Sequence, residues 1–414
     1  MSRFACLGLS GGKVVAALFL AALLARGALI IGLHTPFTNP DSSDYISLAG
    51  NLLSSGSYSI DGKLPDCTRP PGYPFFVAAV NYAGGKISLK RTAAAQAAVD
   101  SSSAVLVYLL ALEFISPPFA LAAGMAYALH PVFACFSRLM LSESLFMFFW
   151  LFFLLAARKT MTSGSIAFAA ASGAVLSMAL LVRPTHILYP VAFAPVLYFG
   201  VRDLKKSLLI LIALAAAAQL GIAPWKARNK TLFGISTVTT GAGVAFWAGS
   251  LPEYPTRADL SPVWPRGDFK SPEADRAFML KAKENWAARK WTLIGKLPRR
   301  LLRFWVTSHS SVLNFPQQEQ GSLAFKAAKA AMFAVQLLTL LLAAAGAWLL
   351  RRRWRDLLFL LMPAVYVSGH ILNDWGPARY HISALPCLLI AGCWAAQELA
   401  QRRSKASSSG PAEA

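Results

Sequence analysis

Apolar runs long enough to cross a bilayer, parted by short charged clusters, constrain this chain more than any other feature. A hydrocarbon core about 30 Å thick asks for about 17–25 mostly apolar residues per helix. Candidate spans lie near 13–33, 92–113, 117–131, 142–157, 164–182, 185–200, 207–224, 327–350, 356–372 and 382–400. Hydrophobic residues make up 56% of the sequence and charged ones 14%, against about 25% charged in soluble domains. The charges sit between the apolar runs, as expected where a charge at mid-depth costs at least about 2.5 kcal/mol. The expected fold is therefore all-α: a polytopic helical membrane protein of about ten spans, with external juxtamembrane helices.

The net charge of +21 has two possible sources. A nucleic-acid binder gathers its bases on one soluble face. Here Arg158-Lys159, Lys205-Lys206, Arg351 to Arg355 and Arg402-Arg403 sit at the ends of apolar runs, the pattern of the positive-inside rule. Membrane topology accounts for most of the charge, and nucleic acid is not an expected partner. Arg3 and Lys13 precede an apolar run without a small-residue cleavage site, which reads as an uncleaved first span. Cys6, Cys67, Cys135, Cys387 and Cys393 show no CxxC and no zinc spacing. They read as unpaired apolar side chains, with a Cys67–Cys135 disulfide as the alternative in an oxidising compartment.

Sidedness follows from parity. The apolar run Gly72–Gly84 is short for a span and suits an interfacial or re-entrant helix. If it does not cross and the N-terminus is inside, all four basic clusters fall inside, while Lys86, Lys90 and Arg91 fall outside. Four clusters outweigh that one. The organisation expected is a transmembrane module over 1–224 with a first external loop over 34–91. An external segment over 225–326, C-terminal spans over 327–400 and a disordered cytoplasmic tail over 401–414 follow. The expected location is the inner (plasma) membrane, crossed many times, with the functional face external.

The first external loop is the part that invites chemistry. It runs from Asp41 through Asp44-Tyr45, Ala49 and Gly56 to Arg69-Pro-Pro-Gly-Tyr73-Pro74. Tyr45, Leu48, Ala49, Leu52 and Leu53 recur at helical spacing, which predicts a short amphipathic helix over 44–54 ended by Gly56. Asp41 or Ser42 can cap it. The two prolines after Arg69 hold that residue extended and start the next helix sharply.

Asp41, Tyr45, Ala49, Leu52 and Gly56, followed by a basic residue and Pro70-Pro71, resemble the first loop of the GT-C glycosyltransferases. The relevant members are the protein O-mannosyltransferases and the lipid A aminoarabinose transferases. Ser142-Glu143 with Phe146, Arg183-Pro184, and Arg379-Tyr380 with Pro386 resemble three further motifs, in family order. The resemblance implies a GT-C fold and transfer of a sugar, with inversion, from a polyprenyl-phosphate donor. The acceptor would be a lipid, protein or glycan at the external face. By position it makes Asp41 the catalytic carboxylate and Arg69 the contact to the donor phosphate. Glu143 becomes a second catalytic candidate, orienting acceptor or base. Asp44, Tyr45, Tyr73, Arg183, Arg379 and Tyr380 become candidates for substrate contact, and Arg228 in Trp225-Lys226-x-Arg228-Asn229 is a further basic candidate.

The chemistry asks for such residues, because a carboxylate must take the acceptor proton and fixed cations must meet charge on the departing phosphate. Each has a plainer reading. Asp41 can be a helix cap, Asp44 a solvated charge, Arg69, Arg183 and Arg379 snorkelling cations, and Glu143 a dipole partner at a helix start. His34, His130, His370 and His381 read as amphipathic tips at membrane edges. The family's oligosaccharyltransferases are metal-dependent and carry Asp-x-Asp in this loop, whereas Asp41-x-x-Asp44 does not match. No cofactor is therefore expected, with a divalent metal as the disfavoured alternative. Asn373 to Tyr380 mixes a carboxylate, aromatics and a guanidinium, and suits sugar-phosphate contact. Asn229-Lys-Thr231 forms a glycosylation sequon. A transporter of lipid-linked sugars is the competing reading, and Asp100 is the acidic residue well inside an apolar run that favours it. A polysaccharide polymerase or ligase stands third.

Overall fold

The computed structural model describes residues 9–251, 260, 262–264, 268–269, 271–373 and 379–408. Every regular element among them is helical. In chain order the α-helices are α1 (Leu9–Gly32), α2 (Ser42–Ser55), α3 (Gly72–Asn81), α4 (Leu89–Ala111), α5 (Pro117–Ala128), α6 (Pro131–Arg138), α7 (Glu143–Ser163) and α8 (Ile166–Val182). They continue as α9 (Tyr189–Val201), α10 (Leu204–Phe233), α11 (Ala242–Gly249), α12 (Pro272–Trp305), α13 (Leu323–Leu349), α14 (Trp354–Ser368), α15 (His370–Asn373) and α16 (Leu385–Ser408).

Six of the described helices are long and apolar enough to cross a membrane: α1, α4, α7, α10, α13 and the stretch Arg351–Leu372 that contains α14. The chain is a multi-pass membrane protein. Of the remaining expected spans, 164–182 and 185–200 are the shorter apolar helices α8 and α9, and 117–131 falls in a pair bent by 47°. The bend has a sequence cause. Pro131 begins α6 and cannot donate to the preceding turn, and it holds His130 in extended backbone. The carbonyl freed at Ala128 is taken by Arg26, whose Nη1 donates to it at 2.8 Å. Most of the last expected span, 382–400, falls in α16, where Gln397 and Glu398 interrupt the apolar run.

Small side chains let these helices approach. A Cβ on Gly173 of α8 would lie 2.1 Å from the Leu214 carbonyl of α10, so only glycine admits this crossing. Basic clusters converge at one end of the bundle. Arg158 meets Asp356 at 2.9 Å and Lys159 meets Glu113 at 2.6 Å, joining the ends of α4 and α7 to the start of α14. Glu143, at the other end of α7, marks the opposite face of the bundle.

Two boundaries move. The helix α10 continues through Trp225 to Phe233, so the division at 224/225 falls inside it. Pro224 and the charges after it end the apolar run, but Lys, Arg and Ala are good helix formers. In the tail, α16 continues to Ser408 where disorder was expected from Gln401. The short run after Arg69 forms α3, whose ten residues span only about 15 Å, half of what a crossing needs.

Candidate active site

Four connections carry the polar residues of the bundle's Glu143 end. The chain from Leu33 to Asn39 is held by Arg138, a buried guanidinium. Its Nη1 donates to the Pro36 carbonyl (3.1 Å) and the Thr35 hydroxyl (3.0 Å), and its Nη2 donates to the Leu33 carbonyl (2.8 Å) and to that of Thr35. Asn314 adds two bonds of 2.8 Å to the carbonyls of Pro36 and Thr38. This bracing delivers Asp41 to the start of α2. The Asp41 side chain makes no cap hydrogen bond, so the capping alternative fails and both carboxylate oxygens are free for other partners.

Local sequence sets each arginine. Arg69 stands before Pro70 and Pro71, and the Tyr58 hydroxyl donates to the carbonyls of Arg69 (2.9 Å) and Pro70 (3.1 Å). Gly72 then packs on the end of α8, where a Cβ would come within 2.8 Å of Val182 and 3.0 Å of the Leu181 carbonyl. That close approach brings Arg69 beside Arg183. Arg183 itself ends α8 in extended backbone, as its position before Pro184 requires. Glu143 opens α7, where a carboxylate suits the helix dipole.

These side chains form one ion-pair lattice. Arg69 Nη2 meets Asp41 Oδ1 at 2.8 Å, and Arg379 Nη1 meets Asp41 Oδ2 at 2.9 Å. Asp44 Oδ2 accepts from Arg69 Nε at 2.9 Å, so Asp44 is not the solvated charge of its plainer reading. Glu143 Oε1 lies 2.5 Å from Arg183 Nη1 and 3.1 Å from Arg379 Nε. Arg379 thus bridges the two carboxylates. Arg69 also stands over the Tyr45 ring at 5.0 Å, and Arg183 over the Tyr380 ring at 5.9 Å. Burial pushes the Asp41 pKa up, but Arg379 and Arg69 outweigh it and hold the pKa at about 2. The same carboxylates push the Arg379 guanidinium above its ordinary range.

A cavity of about 850 Å³ opens beside the lattice. Arg69, Arg183, Arg379, Tyr45 and Tyr380 line it, whereas Asp41, Asp44 and Glu143 stand behind the guanidiniums. The cavity also has an apolar part to its lining, which includes Leu188, Val244, Phe246 and Met279. Its floor at Thr239-Thr240 is tied to the first loop, with Thr240 N donating to the Cys67 carbonyl and the Thr239 hydroxyl to that of Thr68. Asp41 is about a third exposed, while Glu143 is sealed at 2%.

Two further candidates, Tyr73 and Arg228, belong neither to the cavity lining nor to the lattice. Tyr73 is fully buried and its hydroxyl donates to Gln96, so it joins α3 to α4. Its phase on α3 points it inward, which residue type alone does not reveal. Arg228 donates to the Asp66 carbonyl at 2.8 Å and lies 4.5 Å from the Trp225 ring centroid. It props the loop rather than facing the cavity. Asn229 of the sequon is buried, and its amide donates to the Thr237 carbonyl at 2.9 Å. Of the stretch from Asn373 to Tyr380, residues 374–378 lie outside the described residues. Sequence reasoning missed Arg138 and took His370, which lines the cavity, for an amphipathic tip. Arg138 follows no motif, and a buried arginine served by backbone carbonyls leaves no pattern in sequence.

Comparison with known proteins bears on this arrangement. Residues 68–225 match the family model described as dolichyl-phosphate-mannose-protein mannosyltransferase. Similar solved structures include the archaeal oligosaccharyltransferase AglB from Archaeoglobus fulgidus in complex with an inhibitory peptide and a dolichol-phosphate. It is 15% identical with a TM-score of 0.57, over 98% of this chain and 53% of that one. The apo form of the Archaeoglobus fulgidus oligosaccharyltransferase matches over 100% and 53%, with 15% identity and a TM-score of 0.54. The chain spans about half the length of these structures. No curated protein matches the sequence. A further similar structure is of that oligosaccharyltransferase in complex with Zn and sulfate, at 15% identity and a TM-score of 0.51. Among the described residues no group of three His, Cys, Asp or Glu side chains could hold a metal ion, and both oxygens of Asp41 face guanidiniums.

Proposed function

We propose that this chain, a membrane protein of the GT-C superfamily, transfers a sugar from a polyprenyl-phosphate donor to an acceptor at the membrane face that carries Asp41. The observation that carries the reading is the mixed lining of the cavity: three guanidiniums of the lattice together with several apolar side chains. An amphipathic donor suits it, with its phosphate on Arg69, Arg183 and Arg379 and the first isoprene units along Leu188 and Phe246. The acceptor is a hydroxyl or phosphate of a lipid, protein or glycan. By the positive-inside rule the cavity faces the exterior of the plasma membrane.

In the proposed step the acceptor oxygen attacks the anomeric carbon from the side opposite the phosphate, and configuration inverts. The bond from that carbon to the phosphate oxygen breaks, and its electron pair leaves with the phosphate. Charge-assisted hydrogen bonds from the arginines stabilise it. Asp41 takes the acceptor proton, and its exposed edge is where the acceptor reaches it. While both its oxygens hold arginines, Asp41 is a weak base. Donor phosphate competes for the same guanidiniums, so its arrival releases the carboxylate for the step that needs it. Glu143, sealed behind the wall, is a positioning residue that sets Arg183 and Arg379.

The test is Asp41→Asn in purified protein in lipid nanodiscs, with donor binding and sugar transfer measured separately. Expected are donor binding within about threefold of wild type and a fall in transfer of at least about a hundredfold. Wild-type transfer by the folded variant overturns the assignment. The competing transporter reading needs a titratable group on a path through the bundle. Asp100 is sealed instead: Arg26 Nη2 lies 2.6 Å from it and the Tyr127 hydroxyl donates to it at 2.7 Å.

A further inference from the structure

We propose that the second half of α12, from Lys290 to Trp305, enters the leaflet on the cavity side and binds anionic phospholipid along its exposed stripe. The helix kinks at Arg289, where φ is −130° and ψ is 22°. Beyond the kink its two faces differ. Leu293, Arg300 and Phe304 are buried against the protein, with Phe304 packed on Val367, Ile371 and Ala384. On the opposite face Trp291 is 74% exposed, Ile294 43%, Leu301 38% and Leu302 62%. At 100° per residue these four fall in one stripe. Lys290, Arg299 and Arg303 flank it, and none has a carboxylate partner among the described residues. Apolar centre, basic flanks and an interfacial tryptophan are what an anionic lipid surface complements.

Depth favours lipid over a protein partner. The Trp305 carbonyl accepts from Gln336 Nε2 at 2.9 Å, and Trp305 Nε1 donates to Ser368 Oγ at 3.0 Å. Gln336 stands about 20 Å along α13 from its Leu349 end, and Ser368 about 21 Å along α14 from Trp354. Both helices end at the Arg351–Arg353 cluster, the rim of the apolar slab. A core about 30 Å thick therefore still surrounds Trp305, and Leu301 and Leu302, one turn away, face hydrocarbon or the headgroup boundary. The opposite face of the same helix holds the cavity side, since Arg300 donates to the carbonyls of Gly249 (2.6 Å) and Leu251 (2.7 Å). Lipid seating of α12 is thereby mechanically joined to the cavity's α11 wall.

The experiment places an environment-sensitive fluorophore on Lys283→Cys, Ile294→Cys or Leu302→Cys in the full chain, in nanodiscs of phosphatidylcholine with or without phosphatidylglycerol. Expected is quenching by brominated lipid at 302, weaker at 294 and absent at 283, with the reverse order for aqueous iodide. A Lys290→Gln/Arg299→Gln/Arg303→Gln variant should lose phosphatidylglycerol retention by roughly fivefold per charge, measured by native mass spectrometry. Iodide quenching at 294 and 302 without lipid quenching overturns the proposal. So does protection from both quenchers, which would mark a protein partner or second copy, and so does equal retention by the variant. None of these readouts depends on sugar transfer.

Discussion

Asp41 is held in a state suited to resting rather than reacting. Its folded pKa of about 2 lies below the unfolded value of about 3.9. A depressed carboxylate adds stability that is fully present above the unfolded pKa and is lost as pH falls through the folded one. The ion pairs should therefore contribute about 1 kcal/mol above pH 4, after discounting for partial exposure, and lose it between about pH 4 and 2. Asp41→Asn should flatten that acid limb in denaturation profiles. The kinetic counterpart is sharper. The profile of kcat/KM reports the free enzyme and that of kcat the complex. If donor phosphate draws Arg379 and Arg69 away, the acid limb of kcat should lie at higher pH than that of kcat/KM. Coincident limbs would show that the carboxylate keeps its arginines throughout.

The residues legible in the sequence were those that share a motif with a family. Asp41, Arg69, Glu143, Arg183, Arg379 and Tyr380 were all candidates, and the fold brings them together. What the motifs could not give is which side chain faces the cavity and which stands behind it. Tyr73 turns away from the cavity because helix phase, not residue type, decides it. Arg138 was invisible because its partners are carbonyls. Arg138→Met should cost about 3 kcal/mol in unfolding free energy, since several bonds to one buried charge are lost together. Arg138→Lys should recover only part, lacking the fork. Unchanged melting of Arg138→Met would remove its bracing role.

Among the elements, spans were legible from hydropathy and the short external helices α2 and α3 from their periodicity and length, while the long α12 was not. The second half of α12 is rich in bases and contains Gly295 and Pro298, so its local signals argued against a long helix. Tertiary contacts decided otherwise. The α8–α10 crossing is a second case, because a glycine in an apolar run reads as any small residue until its neighbour is known. Gly173→Val should lower the melting temperature in detergent and cost at least about 2 kcal/mol through overpacking. Gly27→Ala on α1, with nothing within 4 Å of the new Cβ, is the control and should melt as wild type does.

Taken together, the bundle has a basic rim at one end and a site of paired charges at the other, and parity orients it. Ser43 is exposed near Asp41, and Thr162 is exposed at the far end of α7. An impermeant maleimide applied to intact cells should label Ser43→Cys and spare Thr162→Cys, with labelling of both once the membrane is opened. The reverse pattern would invert the orientation. It would also place the proposed donor in the opposite leaflet.

Arg379 touches Asp41 across 338 positions of sequence. Consequently no nascent chain still short of Arg379 can assemble the lattice, however well its earlier spans have inserted. Competence therefore waits on the emergence of Arg379, and a premature stop ahead of it should leave an inserted but inert product.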